Sequence, residues 1–476
     1  MTNFVGNAAN AAGPVVVIRG RGRVSALGLE PTPPLEAASP FTPHATGVPV
    51  AALPAATEAA VATLRRSQSA FRQLDRTVLL ALLAARQATA AAGWLPQPDT
   101  HAPQPARHLP HLDTCLPQPA TYLPQLDSHS PQPATYLPQA DRRFPQPDSY
   151  SPQLDSILPL FDSQPPTIDN QQTTHLAVSI GSSRGATGRL EEFHAGFLAE
   201  GSVPVAASPL TTLGNVASWV AYDAGQQGGA ALSHSSTCSS AFQALGNALA
   251  WLKAGMATRF LAGGTEAPLT DFTLAQMRAI GIYSPLPAAD WPCRPGAGRP
   301  STFVLGEGAA VFALEQLSAA QATAETSPLL VLAGVGFGFE AIGSKTGLSP
   351  EGRHFQQAIQ QALAQSGVGP ADIDAVVLHS PGTPAGDAAE RAALRAIFGP
   401  ELPLLLSNKW LLGHTLGASA ALSLDFACHV LETQQWPAAP FATDLASAVD
   451  KPIRRILVNA AGFGGNAASV VVELRG

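Results

Sequence analysis

The sequence predicts an α/β fold with two halves and one long insertion. Short apolar strands alternate with amphipathic helical segments from His175 to the end of the chain, as in sheets crossed over by helices. β-branched runs mark a strand near each end, Val15 to Ile18 and Ser469 to Leu474. Between the first strand and His175 the composition changes sharply, which separates an insertion from the folded parts.

The remaining elements follow from local patterns. The first strand is expected to end in a turn at Arg19–Gly22, and apolar residues at helical spacing predict a helix from Asp75 to Ala92. A loop of small residues at 181–188 is expected to precede a helix beginning near Leu190. Further strands are predicted at 175–180, 260–262, 309–314, 329–335, 374–379 and 456–458.

Composition excludes several classes of protein. The 476 residues carry a formal net charge of −7 without a basic run, which argues against nucleic acid as a partner. No apolar stretch is long enough to span a membrane, and residues 1–7 do not resemble a signal peptide. The four cysteines are scattered without a CxxC pair, which argues against disulfides and zinc. The sequence therefore predicts a cytoplasmic enzyme.

The insertion, residues 95–166, is a low-complexity repeat. Proline recurs every seven residues from Pro96 to Pro159 within a Pro-Gln-rich pattern, and proline in each repeat prevents a continuous helix. We expect an exposed, largely disordered loop that arose by tandem expansion, because loop closure costs little more as length grows. A binding role for the repeat is the alternative.

Cys238 is the candidate nucleophile. It lies between small polar residues and an amphipathic run that ends at Ala254–Gly255, so we expect it at a helix N-terminus. The free N–H groups and the helix dipole there favour a thiolate, the form that attacks a thioester. The alternative is a buried cysteine that serves as a small apolar side chain. Cys115, Cys293 and Cys428 are interpreted as structural or incidental.

Two histidines and one lysine complete the candidate set. His379 ends an apolar strand before a Gly/Pro-rich loop, a common position for chemistry in α/β folds. His414 follows Gly413 and opens a run of small residues, and Lys409 lies five residues before it. For each histidine taken singly, the alternative interpretation is a structural residue that is held by hydrogen bonds. For Lys409 the alternative is an ordinary solvated lysine.

Five segments together resemble the β-ketoacyl synthases. His379–Asp387 resembles their His-Gly-Thr-Gly-Thr-Pro-X-X-Asp loop, and Lys409–His414 resembles their Lys-X-X-X-Gly-His segment. Gly462–Asn466 is similar to their Gly-Phe-Gly-Gly loop, Val304–Ala309 to their Gly-Glu-Gly segment, and Val17–Ser25 to their opening strand and turn. The resemblance covers nearly the whole chain except the repeat.

Two segments depart from the family pattern. Ser380 and Pro381 replace the usual Gly-Thr after the histidine, and residues 294–302 lack the usual acidic-basic-Asp-Gly-Phe pattern. These departures bear on substrate preference and loop geometry.

The resemblance implies the thiolase fold and a mechanism. Two similar halves with mixed sheets are expected at 14–320, interrupted by the insertion, and at 328–476, with the active site between them. Cys238 would accept an acyl chain, and His379 and His414 would assist decarboxylation of a malonyl thioester and stabilise the enolate. Lys409 would hold the histidines electrostatically.

Supporting residues and partners are also implied. Glu307 would pair with Lys409, the backbone N–H groups of Cys238 and Phe463 would form an oxyanion hole, and Phe463 and Gly464 belong to a gating loop. No metal or bound cofactor is expected, because an acyl carrier protein supplies the phosphopantetheine arm. A homodimer or a heterodimer with a related subunit is expected. The alternatives are a thiolase-like enzyme that uses acyl-CoA and a non-catalytic subunit that assists an active partner.

Overall fold

The computed structural model describes residues 13–31, 38–94, 175–226, 229–341, 343, 349–448 and 451–476. The expectations for the proline repeat at 95–166, including its disorder, lie outside these residues. Within the described part, no helix is long and apolar enough to cross a membrane.

Among its described residues, the first half of the chain has five strands of the main sheet, a short hairpin and eight α-helices. The main strands are β1 (Val15–Val24), β4 (Leu176–Gly181), β5 (Ala231–His234), β6 (Arg259–Glu266) and β7 (Gly308–Leu317). The hairpin pairs β2 (Thr42–Pro43) with β3 (Pro49–Val50). The helices are α1 (Ala55–Ser67), α2 (Arg76–Ala91), α3 (Thr187–Glu200), α4 (Ala207–Thr211), α5 (Asn215–Asp223), α6 (Ser240–Lys253), α7 (Asp271–Ala279) and α8 (Ala319–Ala324).

The described part of the second half has five strands and four α-helices. The strands are β8 (Leu329–Phe339), β9 (Ala375–Val377), β10 (Leu404–Leu406), β11 (Arg455–Gly462) and β12 (Asn466–Arg475). The helices are α9 (Arg353–Ser366), α10 (Pro384–Phe398), α11 (Lys409–Leu412) and α12 (Ser419–Thr433).

Strand order shows that the two halves repeat one topology. The ten-stranded sheet runs β10-β9-β11-β12-β8-β1-β7-β6-β4-β5. If the main-sheet strands of each half are numbered by their order in the chain, each half reads 3-2-4-5-1 from the edge of the sheet to its centre. The two first strands, β1 and β8, pair antiparallel at the centre. In each half strands 2, 3 and 4 are parallel and strand 5 is antiparallel to strand 4. The predicted fold class of two similar halves with mixed strands is therefore confirmed.

Three apolar clusters fix the layers. One packs α6 and α12 between the two halves of the sheet, with residues such as Phe312 from the first half and Val458 from the second. The second places α2 and α5 on the outer face of the first half, and the third places α9 and α10 on the outer face of the second. Because α6 and α12 lie in the central layer, the loops that precede them meet in the interior.

One predicted element, the turn after the first strand, is absent from the structure. The expected turn at Arg19–Gly22 is wrong, because β1 continues through it to Val24 with a bulge between Ile18 and Gly20. The glycines there are required by close packing rather than by a turn, since a Cβ at Gly20 would lie 2.3 Å from the carbonyl oxygen of Ala88 in α2. A glycine pair in a strand therefore marks close approach of a helix here.

Candidate active site

One pocket in the interior brings together residues that are far apart in the sequence. Cys238, His379, His414 and Phe463 all line it. The remaining lining is mostly apolar and comes from Met277, Ile282, Phe303, Phe355, Pro381, Thr383, Gly386, Leu416, Ala461 and Gly462. A nucleophile candidate and two imidazoles thus face an apolar cavity, the usual composition of a small-molecule site.

Cys238 lies directly before α6, as the sequence predicted. The preceding residue, Thr237, has a φ of 55°, a left-handed conformation that threonine rarely adopts, so the backbone is strained at the pocket. Burial raises the pKa of the Cys238 thiol to about 12, and the nearby carboxylate of Glu266 adds to this, whereas Lys409 and Arg184 oppose it. The expected preference for the thiolate is therefore wrong for the resting structure, because burial in the apolar pocket disfavours the charged form of the thiol.

His414 is buried with a fixed tautomer. The backbone N–H of Leu416 donates to Nδ1 of His414 at 3.1 Å, and Leu416 itself has a φ of 43°. Burial, assisted by the charge of Lys409, lowers the pKa of His414 to about 3, so the ring is neutral. Since Nδ1 accepts a hydrogen bond, the single ring proton is on Nε2, which makes Nε2 a donor.

His379 stands against the ring of His414. The two ring centroids are 5.3 Å apart and the planes are nearly perpendicular. Burial lowers the pKa of His379 well below its usual value, and the neighbouring His414 and Lys409 act in the same direction. Both imidazoles are therefore neutral at physiological pH and can take part in hydrogen bonds without carrying charge.

Glu390 holds the His379 loop and was missed in the sequence. Its buried carboxylate accepts the backbone N–H of His379 at 2.9 Å and that of Ser380 at 2.8 Å. It also accepts the Ser380 hydroxyl at 2.7 Å and the side-chain amide of Asn459 at 3.0 Å. The available signal was an acidic residue on α10, one helical turn after Asp387 and on its buried face.

Glu266 connects the two halves of the site and was also missed. It ends β6, and its carboxylate accepts the backbone N–H groups of Ser183 and Arg184 at 2.6 and 3.1 Å. It also accepts the N–H of Gly417, close to His414, at 2.9 Å. Burial raises the pKa of Glu266 to about 7 despite these bonds. One carboxylate thus ties a loop of the first half to the histidine turn of the second.

The expected pairing of Lys409 with Glu307 is wrong. Both oxygens of Glu307 accept from the guanidinium of Arg76, at 2.6 and 2.8 Å. Lys409 is fully enclosed, and its Nζ donates instead to the hydroxyl of Ser423 at 2.9 Å. Burial lowers the pKa of Lys409 to about 8. Glu307 therefore supports the β3–α1 region through Arg76 and the N–H of Leu53.

The loop that carries Phe463 passes very close to Cys238. Phe463 is 38% exposed and lines the pocket. A Cβ at Gly462 would lie 1.6 Å from Oγ1 of Thr237 and 2.9 Å from the backbone nitrogen of Cys238. Gly464 has a φ of +84°, a conformation that favours glycine. The two glycines thus let this loop turn beside Cys238.

Residues 294–302 contact the loop that carries Ser380 and Pro381, at positions further along that loop. Thr302 donates its N–H to the carbonyl of Gly382 at 2.8 Å, and Gly296 donates to Asp387 at 2.8 Å. The Ser380 hydroxyl also accepts from Arg391, which forms a bidentate pair with Asp444. Changes in the loop after His379 and in residues 294–302 therefore form one joint surface beside the pocket.

Comparison with known proteins decides the family. The N-terminal domain model of beta-ketoacyl synthases matches residues 162–320, and the C-terminal domain model matches residues 329–441. The chain is 32% identical over 327 residues to a putative polyketide beta-ketoacyl synthase 1 of Streptomyces cyaneus, a match covering 62% of this chain and 75% of the relative. The chain belongs to the beta-ketoacyl synthase family.

Other relatives match in part or by fold. Identity to a 3-oxoacyl-[acyl-carrier-protein] synthase 2 of Staphylococcus aureus is 30% over 249 residues, covering 50% of this chain and 59% of that relative's length. The ishigamide ketosynthase/chain length factor structure superposes with a TM-score of 0.70 at 20% identity, covering 98% of this chain and all of that chain. A beta-ketoacyl synthase from Burkholderia phymatum gives 0.68 at 20% identity, covering 97% and 100%. These structures show the shared thiolase-like fold.

We predict that Gly462→Ala lowers the rate at which an acyl thioester labels Cys238, because it displaces the loop beside that residue. The added methyl would overlap Oγ1 of Thr237, so the loop must move away from the nucleophile. Labelling of Cys238 by an acyl thioester, followed by mass spectrometry, should fall by at least about tenfold, a barrier increase of about 1.4 kcal/mol. Gly196→Ala, on α3 with open space around its Cα, is the matched control and should label normally. Normal labelling of Gly462→Ala would contradict the close approach.

We also predict that Lys409→Met stabilises the fold below pH 8. The pKa of Lys409 is lowered from 10.5 to about 8, so keeping the amine charged in the interior costs about 3 kcal/mol below pH 8. Between pH 8 and 10.5 the unfolded chain binds more protons than the folded chain, so the free energy of unfolding of the wild type rises as the pH increases through this window. The stability advantage of the variant disappears over the same window. Denaturant unfolding at several pH values checks this, with the exposed Lys253→Met as control. A variant less stable than the wild type at pH 7 would refute the prediction.

Proposed function

We propose that this chain is a decarboxylating β-ketoacyl synthase that acts on thioesters of an acyl carrier protein. The observation that carries the proposal is that Cys238 and two neutral imidazoles face one apolar pocket. A nucleophile next to hydrogen-bond donors that bear no charge suits chemistry in which negative charge develops on oxygen. An apolar lining suits an acyl chain.

In the first step Cys238 takes the acyl group. Its sulfur attacks the thioester carbon of the acyl carrier protein, the bond to the phosphopantetheine sulfur breaks, and the proton of Cys238 passes to the released thiolate to give the free thiol. The high pKa of the Cys238 thiol means that little thiolate exists before the substrate binds. Backbone N–H groups of Cys238 and Phe463 are proposed as the oxyanion hole, where one donor is typically worth about 3 kcal/mol.

In the second step a malonyl thioester loses carbon dioxide. The bond between its C2 and carboxylate carbon breaks, and the electron pair enters the enolate. Nε2–H of His414 is a donor by its tautomer, so it is suited to bind the enolate oxygen. His379, with its ring 5.3 Å from that of His414, is proposed to share this role.

The third step forms the new carbon–carbon bond. C2 of the enolate attacks the carbonyl carbon of the acyl-Cys238 thioester, and the sulfur leaves as thiolate and takes a proton from solvent. The product is a 3-oxoacyl thioester on the carrier. Lys409 is proposed to favour the developing negative charges through its own charge. No resident metal or cofactor is proposed, and the phosphopantetheine arm belongs to the substrate.

We also propose that the chain associates with a second copy through α3 and the segment after it. Five of the thirteen exposed large apolar side chains of the described residues lie between positions 190 and 205: Leu190, Phe197, Leu198, Val203 and Val205. Clusters of this kind on otherwise polar surfaces mark protein–protein contacts. Several structural neighbours are complexes by their titles, such as a ketosynthase with its chain length factor. An association through this surface would cover a helix that the single chain leaves largely exposed.

The acylation test uses intact mass. Wild-type protein incubated with an acylated carrier protein should gain an acyl adduct that Cys238→Ala does not gain. Adding malonyl carrier protein should remove the adduct and release carbon dioxide together with a 3-oxoacyl carrier. An adduct that persists would indicate acyl transfer without condensation. No adduct with any acyl length would overturn the proposal in favour of a non-catalytic partner subunit.

The association test uses light scattering after size exclusion. The wild type should have twice the mass of the 49.0 kDa chain, and Leu198→Glu should shift it toward the monomer, because a charge would be buried at the contact. Phe272→Glu, at an exposed apolar position on α7, is the matched control and should stay dimeric. A monomeric wild type would contradict self-association, and co-expression with a related subunit would then test the heterodimer.

A further inference from the structure

Lys409 is a buried cation with a neutral partner. Its side chain is enclosed at the start of α11, and its Nζ donates to Oγ of Ser423 at 2.9 Å. Among the residues that the structure describes, no carboxylate lies within ion-pair distance of this ammonium group. Buried charges in proteins are usually paired, because an uncompensated charge is costly to desolvate. An unpaired lysine beside a reactive pocket therefore requires an explanation.

The hydroxyl of Ser423 is oriented so that it can only accept from the lysine. Ser423 lies on α12, and its Oγ donates to Oδ1 of Asn408 at 3.1 Å. The amide of Asn408 is held in turn, because its Nδ2 donates to the carbonyl of Leu422 at 3.1 Å. A hydroxyl has one proton, and here Asn408 takes it, so a lone pair of Ser423 faces Nζ of Lys409.

The charge of Lys409 reaches the reactive groups of the pocket. It lowers the pKa of Cys238 and also lowers the pKa of His379 and of His414. The titratable groups that face Lys409 come from the start of α6, the 284–303 loop, the end of β9, α10 and the turn after α11. They are Cys238, Cys293, His379, Glu390 and His414. A carboxylate at position 423 would cancel this charge at its source.

We propose that Ser423 is a positioning residue that fixes the Lys409 ammonium beside the pocket and leaves its charge uncancelled, so that the charge acts on the Cys238 thiol and on the two imidazoles. For its effect on condensation this inference rests on the proposed function. Its effect on the thiol does not, since the reactivity of Cys238 can be measured without any acyl substrate.

The test follows alkylation of Cys238 by iodoacetamide between pH 7 and 9.5, with peptide mapping to separate it from the other cysteines. The rate follows the thiolate fraction, which changes about tenfold per pKa unit. In the wild type the alkylation rate should rise with pH less steeply once Lys409 loses its proton near pH 8. This change of slope in the plot of rate against pH is called the Lys409 bend. Glu266, with a pKa of about 7, also faces Cys238. In Lys409→Met the titration of Lys409 is absent, so the remaining change in the alkylation rate of Cys238 with pH shows the contribution of Glu266.

Ser423 variants should move the profile in opposite directions. Ser423→Glu should slow alkylation at pH 7 by about tenfold, the change for one pKa unit, and should move the Lys409 bend to higher pH because a carboxylate stabilises the ammonium. Ser423→Ala should move the bend to lower pH, because the ammonium loses its acceptor. Ser423→Thr keeps the hydroxyl and should match the wild type. In the Lys409→Met background, Ser423→Ala should have no further effect.

The outcomes separate this inference from the proposed function. If Ser423→Ala and Ser423→Thr are both folded and give the wild-type bend, the inference is overturned, even where Ser423→Glu fails to fold. Equal loss of rate at every pH, without a shift of the bend, would indicate a merely structural role and would also overturn it. If the bend shifts as expected while the wild type forms no 3-oxoacyl product, the role of Ser423 stands and the condensing function fails.

Discussion

The carboxylate of Glu266 is the interaction on which the site depends most. It accepts N–H groups from the loop after β4 and from Gly417 in the turn after His414. The N–H of Gly417 is buried and would cost about 1–3 kcal/mol if left unpaired, and those of Ser183 and Arg184 are partly buried. The space for the contact exists only because position 417 is glycine, since a Cβ there would lie 2.6 Å from Oε2 of Glu266. The loops of the first half and the turn of the second half that carries His414 are thereby held in one geometry.

Glu390 likewise fixes a loop of the second half by accepting backbone N–H groups, but it does so from a different position in the fold. Glu266 ends a strand, whereas Glu390 lies on α10 and is held against Asn459 of β11. The two halves share their strand order, yet their buried glutamates do not occupy equivalent positions. The strand order shared by the two halves therefore explains why loops from both halves meet at the central layer. A different buried glutamate in each half explains how each loop is fixed there. Local pairing, rather than symmetry, gives the site its shape.

The sequence predicted the elements, and the residues that line the pocket, better than it predicted their environment. Alternating strands and helices gave the fold class, and short motifs located Cys238, His379 and His414 because each lies next to a strand or helix boundary. The partner of Lys409 was predicted wrongly, since Ser423 is a neutral residue within a run of small residues and carries no charge to suggest a pair. The state of Cys238 was also predicted wrongly, because burial is a property of the whole packing and outweighs a local helix end.

Burial has opposite consequences for the groups of the pocket. It removes charge from the two imidazoles, which favours their use as neutral donors, and it raises the pKa of the Cys238 thiol, which opposes thiolate formation. Arg184 also lowers the pKa of Cys238, but a cation that lowers all three pKa values offsets the second effect without reversing the first. Lys409 is that cation, and a carboxylate partner would weaken its influence. The protein thus retains a charge that destabilises its interior, as functional sites often do.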